Sequence, residues 1–111
     1  MSIVLDGTNG VTFPSTTVQG DASIGYGQTW QNVTASRSAS TTYTNSTGKP
    51  IMVYVQGNGG GGLQVSLTVN GVALPVLSGA TSLTASAIVP NGQTYSFSYN
   101  GSSIPIWTEL R

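Results

Sequence analysis

Apolar and polar residues alternate along several short segments of this chain, the pattern of β-strands with one buried face. In the clearest case, every second residue from Leu63 to Val69 is apolar, and Asn70-Gly71 follows. Asn-Gly favours a two-residue hairpin turn because both residues tolerate a positive φ. The turn predicts three apolar pairs on one face: Val69 with Val72, Leu67 with Leu74, and Val65 with Val76. Pro75 lacks a backbone donor, which predicts an edge strand.

A second hairpin is predicted over Thr94–Leu110, around a loop at Asn100–Ser103. Before the loop, three aromatic residues share a face: Tyr95, Phe97 and Tyr99. After it, Ile104, Ile106 and Leu110 take one face, and Pro105, Trp107 and Glu109 take the other. Further strands are predicted at Gln28–Thr34, Thr41–Asn45, Ile51–Gln56 and Thr84–Val89. No sustained helical period is present, so the chain is predicted to be all-β, an antiparallel β-sandwich with a jelly-roll-like arrangement.

The first 25 residues differ from the rest of the chain. Two weak strands, Ile3–Leu5 and Thr16–Gln19, are interrupted by Gly and Pro residues. We predict an extended N-terminal stem over residues 1–25 that needs partner chains, followed by a β-sandwich domain over residues 26–111. A ragged terminus with one added strand is the alternative. The N-terminus lacks a basic region and a long apolar run, so no secretory signal is expected.

Composition excludes several classes of function. The 111-residue chain has no His, no Cys and zero net charge. Its six charged residues are Asp6, Asp21, Arg37, Lys49, Glu109 and Arg111. Catalysis and metal binding draw on clusters of His, Cys, Asp, Glu or Lys, so no enzyme, metal or cofactor is expected. Three cations cannot track a nucleic-acid backbone, and no apolar run is long enough to insert in a membrane. Without disulfides, oligomerisation is the remaining common route to stability.

Candidate binding residues are few. The run Asn58–Gly62 is not a phosphate loop, since no Lys-Ser/Thr follows it; it predicts a flexible hairpin loop or a ligand-contacting tip. Tyr54 points away from its neighbours Val53 and Val55, as Trp107 does from Ile106. Both are candidates for exposed or interchain positions, with core packing as the alternative.

Trp30 and two of the three cations are predicted to have structural roles or to face water. Trp30 is expected to anchor the first strand of the globular part. Arg37 and Lys49 could each pair with Glu109 or with a neighbouring chain. We expect them to face water or to pair weakly, since exposed ion pairs contribute little.

Two sequence motifs resemble segments of a known protein family. Gly27-Gln28-Thr29-Trp30-Gln31-Asn32-Val33-Thr34-Ala35-Ser36-Arg37, together with residues 43–51 (YTNSTGKPI), resembles the C-terminal domain of tailed-bacteriophage tail fibre proteins. The ending Ile106-Trp107-Thr108-Glu109-Leu110-Arg111 and the stem Thr8–Pro14 are similar to segments of the same proteins.

The resemblance implies a homotrimeric fibre tip of the virion that attaches to a glycan or protein of the host surface. Such a chain is made in the bacterial cytoplasm and acts outside the cell, joined to other tail proteins through its stem. Recognition is expected at loops Asn58–Gly62, Gly79–Ser82, Asn91–Gly92 and Asn100–Ser103. The predicted receptor-binding residues are Tyr54, Asn58, Gly59, Gly60, Gly61, Gly62, Tyr99 and Asn100. A purely structural virion protein (fibre connector or capsid decoration) and a monomeric carbohydrate-binding module are the alternatives.

Overall fold

A computed structural model describes residues 24–111 in full and the backbone of three short strands before them. These strands are β1 (Val4–Asp6), β2 (Gly10–Thr12) and β3 (Val18–Gln19), and they form an antiparallel sheet in the order β1-β2-β3. β1 and β3 overlap the two predicted strands of the stem, and β2 adds a third. The rest of the predicted stem lies outside the described residues.

The globular part, residues 24–111, contains nine strands and one 3₁₀ turn at Thr34–Ser36. The strands are β4 (Trp30–Asn32), β5 (Tyr43–Thr44), β6 (Ile51–Asn58), β7 (Gln64–Val69), β8 (Val72–Ala73), β9 (Leu77–Ser78), β10 (Ser82–Val89), β11 (Thr94–Tyr99) and β12 (Ser103–Leu110). The all-β class is therefore confirmed for the part of the chain that the structure describes. Over the same residues, no helix is long and apolar enough to cross a bilayer.

The nine strands form two antiparallel sheets. Sheet 1 has the order β10-β6-β12-β4, and sheet 2 has the order β5-β11-β7-β8, with β9 also paired to β7. The pairing is nested along the chain: β7 pairs with β8 and β9, β6 with β10, β5 with β11, and β4 with β12. The first and last strands of the globular part are therefore neighbours.

The core lies between the two sheets, because the alternating apolar residues of both sheets point inward. On β6, Ile51, Val53 and Val55 are fully buried, and the residues between them are more exposed. From sheet 2, Val65 and Phe97 meet them. Burying each large apolar side chain contributes about 1.5–3 kcal/mol. The remaining buried members of the core are Leu63, Leu67, Ala85, Ala87, Val89, Tyr95 and Trp107.

Asn45 is a buried polar residue that holds the turn before β6. Its side-chain amide donates to the carbonyl oxygens of Lys49 (2.7 Å) and Val89 (2.9 Å). Its Oδ1 accepts from the backbone N–H (3.1 Å) and the hydroxyl (2.7 Å) of Thr47. Buried polar groups are tolerated when their hydrogen bonds are made, and these are.

Asn45→Ala is expected to lower the free energy of unfolding by about 2 kcal/mol, because it leaves buried carbonyl groups without donors. Urea denaturation followed by tryptophan fluorescence measures the change. Ser46→Ala alters the exposed neighbour and serves as the control, with an expected change within about 0.5 kcal/mol. Equal effects of the two substitutions would contradict the role given to Asn45.

The hairpin at Asn70-Gly71 is confirmed near its turn and wrong farther away. Val69 pairs with Val72, and Leu74 N–H donates to the Leu67 carbonyl at 2.8 Å. Val65, however, pairs with Leu77 and not with Val76. The extra residue lies beside Pro75, which has no donor to continue the ladder. Pro75 does lie in the edge segment between β8 and β9, as predicted.

The predicted single apolar face of this hairpin is confirmed in part, since Val69 and Leu74 pack against the core as well. Val65 and Leu67 are buried, but Val72 is 62% and Val76 is 58% exposed. Both residues belong to the edge segment that returns after the turn, so they lie at the rim of sheet 2 and outside the core.

The predicted hairpin over residues 94–110 is wrong. β11 belongs to sheet 2 and β12 to sheet 1, and Asn100–Ser103 crosses between the sheets. The reason is that both strands carry large residues that need burial, Tyr95 and Phe97 on β11 and Trp107 on β12. In opposite sheets, the two sets point into the same interior from both sides. The predicted faces are retained on β11 and from Ile106 to Leu110 on β12. Ile104, however, packs against the core and Pro105 is exposed, because the register shifts between Ser103 and Ile106.

The prediction that Trp30 anchors the globular part is wrong, as is the candidacy of Trp107 for an exposed position. Trp30 is 55% exposed on the outer face of β4, whereas Trp107 is completely buried. The aromatic rings of Phe97 and Tyr43 lie edge-on to Trp107, with centroid distances of 5.8 and 6.0 Å. Trp107 is therefore the central aromatic residue of the core.

Candidate functional site

Three of the four predicted recognition loops meet at one end of the sandwich. The Asn58 carbonyl accepts a hydrogen bond from Ser102 N–H (2.8 Å), and Gly59 N–H donates to the Thr81 carbonyl (3.0 Å). The strand register places Asn58 opposite both Ser82 and Ser103. We call this group the loop end; it comprises residues 58–62, 79–82 and 100–103.

Asn100 holds the glycine-rich loop in place. Its side-chain amide donates to the Gly62 carbonyl at 2.9 Å, and its Oδ1 accepts from Gln64 N–H at 2.7 Å. Within the loop, Leu63 N–H donates to the Gly60 carbonyl at 3.1 Å. Asn100 therefore positions the loop in addition to lying at its surface.

The loop end contains two kinds of glycine. A Cβ atom on Gly101 would lie 2.2 Å from the Asn58 carbonyl oxygen, so this glycine permits the close approach of two backbones. Gly60, Gly61 and Gly62 have no atom within 4 Å of such a Cβ, and none has a left-handed φ. These three exposed positions have no side chain to cover the backbone, so a molecule can approach it closely at the loop end, although the Gly60 and Gly62 carbonyls already accept one hydrogen bond each.

The two tyrosines of the predicted site lie apart. Tyr99 is partly buried, stacks on Phe97 at a centroid distance of 5.4 Å, and supports the loop end from inside. Tyr54 lies on the outer face of β6 and is 38% exposed. Its ring contacts Trp30 edge-on, with centroids 5.5 Å apart and planes at 63°. The structure thus joins Asn58–Gly62, Asn100 and Tyr99, and leaves Tyr54 elsewhere.

The fourth predicted loop, Asn91–Gly92, lies at the opposite end, so the expectation of one shared end is wrong for it. Gly92 N–H donates to the Asn45 carbonyl at 2.7 Å, and Asn91 Oδ1 accepts from Gly48 N–H at 3.0 Å. β6 separates the two ends by seven residue steps, roughly 23 Å at 3.3 Å per residue.

The chain enters the sandwich at the end opposite the loop end. Thr29 and Arg111 exchange backbone hydrogen bonds, so the entering segment lies beside the C-terminal residue. Gln28 Nε2 donates to the Pro50 carbonyl at 2.8 Å, and Lys49 Nζ donates to the Tyr26 carbonyl at 2.6 Å. The latter contact lies at the surface, in keeping with the expectation that Lys49 faces water or pairs weakly.

A shallow cleft of about 240 Å³ lies on the outer face of sheet 2, next to the loop end. Its polar lining consists of Gln64, Ser66, Ser98 and Asn100, and Val76 closes one side. Hydroxyl and amide groups of this kind donate and accept hydrogen bonds without carrying charge. The cleft shares Asn100 with the loop end.

A buried ionic cluster lies around Glu109, which is completely buried. Arg37 makes two contacts with its carboxylate, Nε to Oε2 at 3.0 Å and the terminal nitrogen to Oε1 at 3.1 Å. Arg111 donates to Oε1 at 2.8 Å. The hydroxyl of Tyr95 and the indole N–H of Trp107 each donate to Oε2 at 3.0 Å. The pairing of Arg37 with Glu109, one of the predicted options, is confirmed, and the preferred expectation that Arg37 faces water or pairs weakly is wrong.

The surroundings of Glu109 set its charge state. Burial alone would raise the pKa of its carboxyl, but the hydrogen bonds and charge of Arg37, with donors from Tyr95 and Trp107, lower the pKa below its ordinary value. Burial and the Glu109 charge raise the pKa of the Tyr95 hydroxyl. Both carboxylate oxygens are occupied by donors, so we assign the cluster a structural role.

No protein-family model matches the chain, and comparisons with curated proteins and with solved structures found no match. Within residues 24–111 and the three earlier strands, no group of three or more His, Cys, Asp or Glu residues is placed to hold a metal ion. The resemblance to tail fibre proteins remains a prediction carried by the sequence motifs.

Proposed function

We propose that this chain is the tip domain of a bacteriophage tail fibre, which attaches to the host cell surface and has no enzymatic activity. In this proposal the chain is a homotrimer of the virion, its stem contacts other tail proteins, and a glycan or protein of the host surface is its receptor. The motifs described above, residues 27–37 and 43–51, suggest the family.

The observation that carries the proposal is the placement of the two ends. The chain enters beside Arg111 and Pro50, and three recognition loops meet at the far end of β6. A domain carried on a stem presents to its target whatever lies farthest from that stem. Here that region is the loop end, where Gly60, Gly61 and Gly62 leave the backbone accessible.

The proposal includes a jelly-roll topology. The support is the nested pairing of β7 with β8 and β9, β6 with β10, β5 with β11 and β4 with β12. Two four-stranded paths with this nesting are what two interleaved Greek keys produce, and lectin and viral capsid domains share that architecture.

Among the described residues, the aromatic geometry gives less support to a carbohydrate-binding module. Stacking on a sugar chain needs exposed rings that lie in one plane. The exposed neighbours Trp30 and Tyr54 have ring planes at 63°. Tyr99 is turned into the interior.

Binding of the fluorescently labelled chain to a panel of bacterial strains tests the proposal. We expect saturable binding to a subset of strains. Gly60→Arg is expected to lower the affinity at least about tenfold, which corresponds to a loss of 1.4 kcal/mol of binding free energy. The new side chain meets open space, so the fold is expected to be unchanged.

Ser46→Arg is the matched control, because Ser46 is exposed in the turn at the opposite end. It is expected to bind as the unsubstituted chain does. Equal binding by Gly60→Arg and Ser46→Arg would contradict recognition at the loop end. Binding to no strain would favour a purely structural virion protein.

A further inference from the structure

The outer face of sheet 1 carries an apolar row that crosses all four strands. The register places Ile88 opposite Met52, Met52 opposite Leu110, and Leu110 opposite Trp30. Ile88 is 54% and Trp30 is 55% exposed, and Tyr54 lies against Trp30 in the next row. Isolated exposed apolar residues are ordinary, but a contiguous row on one face marks an interaction surface.

The outer face of sheet 2 provides an internal comparison. Its cross-strand pairs are hydroxyl residues, Ser66 with Ser98 and Thr68 with Ser96. The outer face of sheet 2 therefore has hydroxyl pairs across its central strands, whereas sheet 1 has one complete apolar row across all four strands. Solubility of a single domain gives no reason for this difference, whereas a contact made by one face does.

We propose that three copies of this chain associate through the outer face of sheet 1, with the row Ile88-Met52-Leu110-Trp30 turned toward the three-fold axis. This inference rests on the homotrimer proposed above and names the surface that forms it. The row runs across the strands, so with strands along the axis the three rows lie at the same height. They then meet as one apolar layer.

The chemistry of the face suits a second copy of itself. The row next to the apolar one carries Ser86 and Thr108, and the row after it carries Gln56. The described outward positions of sheet 1 include no charged side chain. Identical faces can therefore approach without like-charge repulsion and without burying an unpaired charge.

The area explains why the stem is needed as well. Three strands about 23 Å long and the three-residue β4, spaced about 4.8 Å apart, give a planar face of roughly 360 Å². A stable interface buries about 800 Å² per partner. The 23 residues before Ile24 join the sandwich at the end of the sheet where the apolar row lies, next to Thr29 and Arg111. The proposal therefore assigns the remaining area to the stem, which the sequence predicts to need partner chains.

Light scattering after size exclusion, over a dilution series of the full chain, tests the surface. We expect the mass of a trimer for the unsubstituted chain. Ile88→Lys places three ammonium groups near the axis, and we expect dissociation at concentrations at least about tenfold higher. For a trimer this is a hundredfold change in the dissociation constant, about 2.8 kcal/mol. Val72→Lys is the matched control: Val72 is also an exposed strand residue, 62% exposed, but lies on sheet 2, and its substitution should leave the mass unchanged.

Ser86→Lys gives a second test on the same face that removes no apolar contact, since Ser86 is an exposed polar residue beside the row. Circular dichroism checks the fold of each variant, and Ser86→Lys decides if Ile88→Lys does not fold. If the lysine variants of sheet 1 form trimers at the same concentrations as the unsubstituted chain, the proposed surface is wrong. The fibre-tip proposal is then unaffected. A monomeric unsubstituted chain would overturn both the surface and the trimer, while cell binding tests the loop end independently.

Discussion

Glu109→Ala is expected to lower the free energy of unfolding by about 3–5 kcal/mol, because it leaves the charges of Arg37 and Arg111 without their buried counter-ion. It also removes the acceptor for the hydroxyl of Tyr95 and the indole N–H of Trp107. Small domains have a total stability of about 5–15 kcal/mol, so the loss is a large fraction. Urea denaturation measures it, and a loss below about 1 kcal/mol would contradict the role of the cluster. Ser98→Ala, an exposed change on sheet 2, is the control.

The same carboxylate predicts a pH dependence. Folding lowers the pKa of Glu109 below its ordinary value of 4.5, so its contribution is fully present above that value. The contribution is lost as the pH falls below 4.5 and through the folded pKa, since the protonated form loses its ion pairs. Glu109→Gln lacks this titration and is expected to show a flatter stability profile in acid. Parallel profiles for the two chains would contradict the assignment.

Trp107→Ala is expected to lower the free energy of unfolding by about 3–5 kcal/mol, the usual effect of emptying a large aromatic site in a core. Trp107 is completely buried, contacts Phe97 and Tyr43, and donates to Glu109. Thermal unfolding followed by circular dichroism measures the change at low protein concentration.

Trp30→Ala provides the matched comparison, because it removes the same side chain from a site that is 55% exposed. At a concentration where association does not contribute, its expected effect is below about 1 kcal/mol. Similar losses for the two tryptophans would contradict the different positions that the structure gives them.

The local pattern was enough to predict most of the strands. Alternation placed Ile51, Val53 and Val55 on one face, and all three are buried. Asn70-Gly71 predicted a hairpin whose turn pairs Val69 with Val72. These features depend on residues close in sequence and on side chains that alternate across a strand, so sequence alone determines them.

The loop end was predicted in part. Turn residues marked Asn58–Gly62 and Asn100–Ser103 as loops, but turn chemistry gives no information about which end of a sandwich a loop occupies. Strand order decides that, and it places Asn91–Gly92 at the opposite end. The outward position of Tyr54 follows from its alternation, whereas its separation from the loop end follows only from its distance along β6.

Tertiary structure decided which apolar or charged residues are buried and with which partner. Alternation assigns Trp107 and Glu109 to one face, but only the assignment of β11 and β12 to different sheets turns that face inward. Arg37 reaches Glu109 across 72 residues, and Asn45 reaches Val89 across 44. Such partners are brought together by nested strand pairing. The sequence by itself determined the strands, the turns and the scarcity of reactive groups. Pairing between distant strands determined the core, the buried ionic cluster and the two ends, because these depend on contacts that local alternation does not encode.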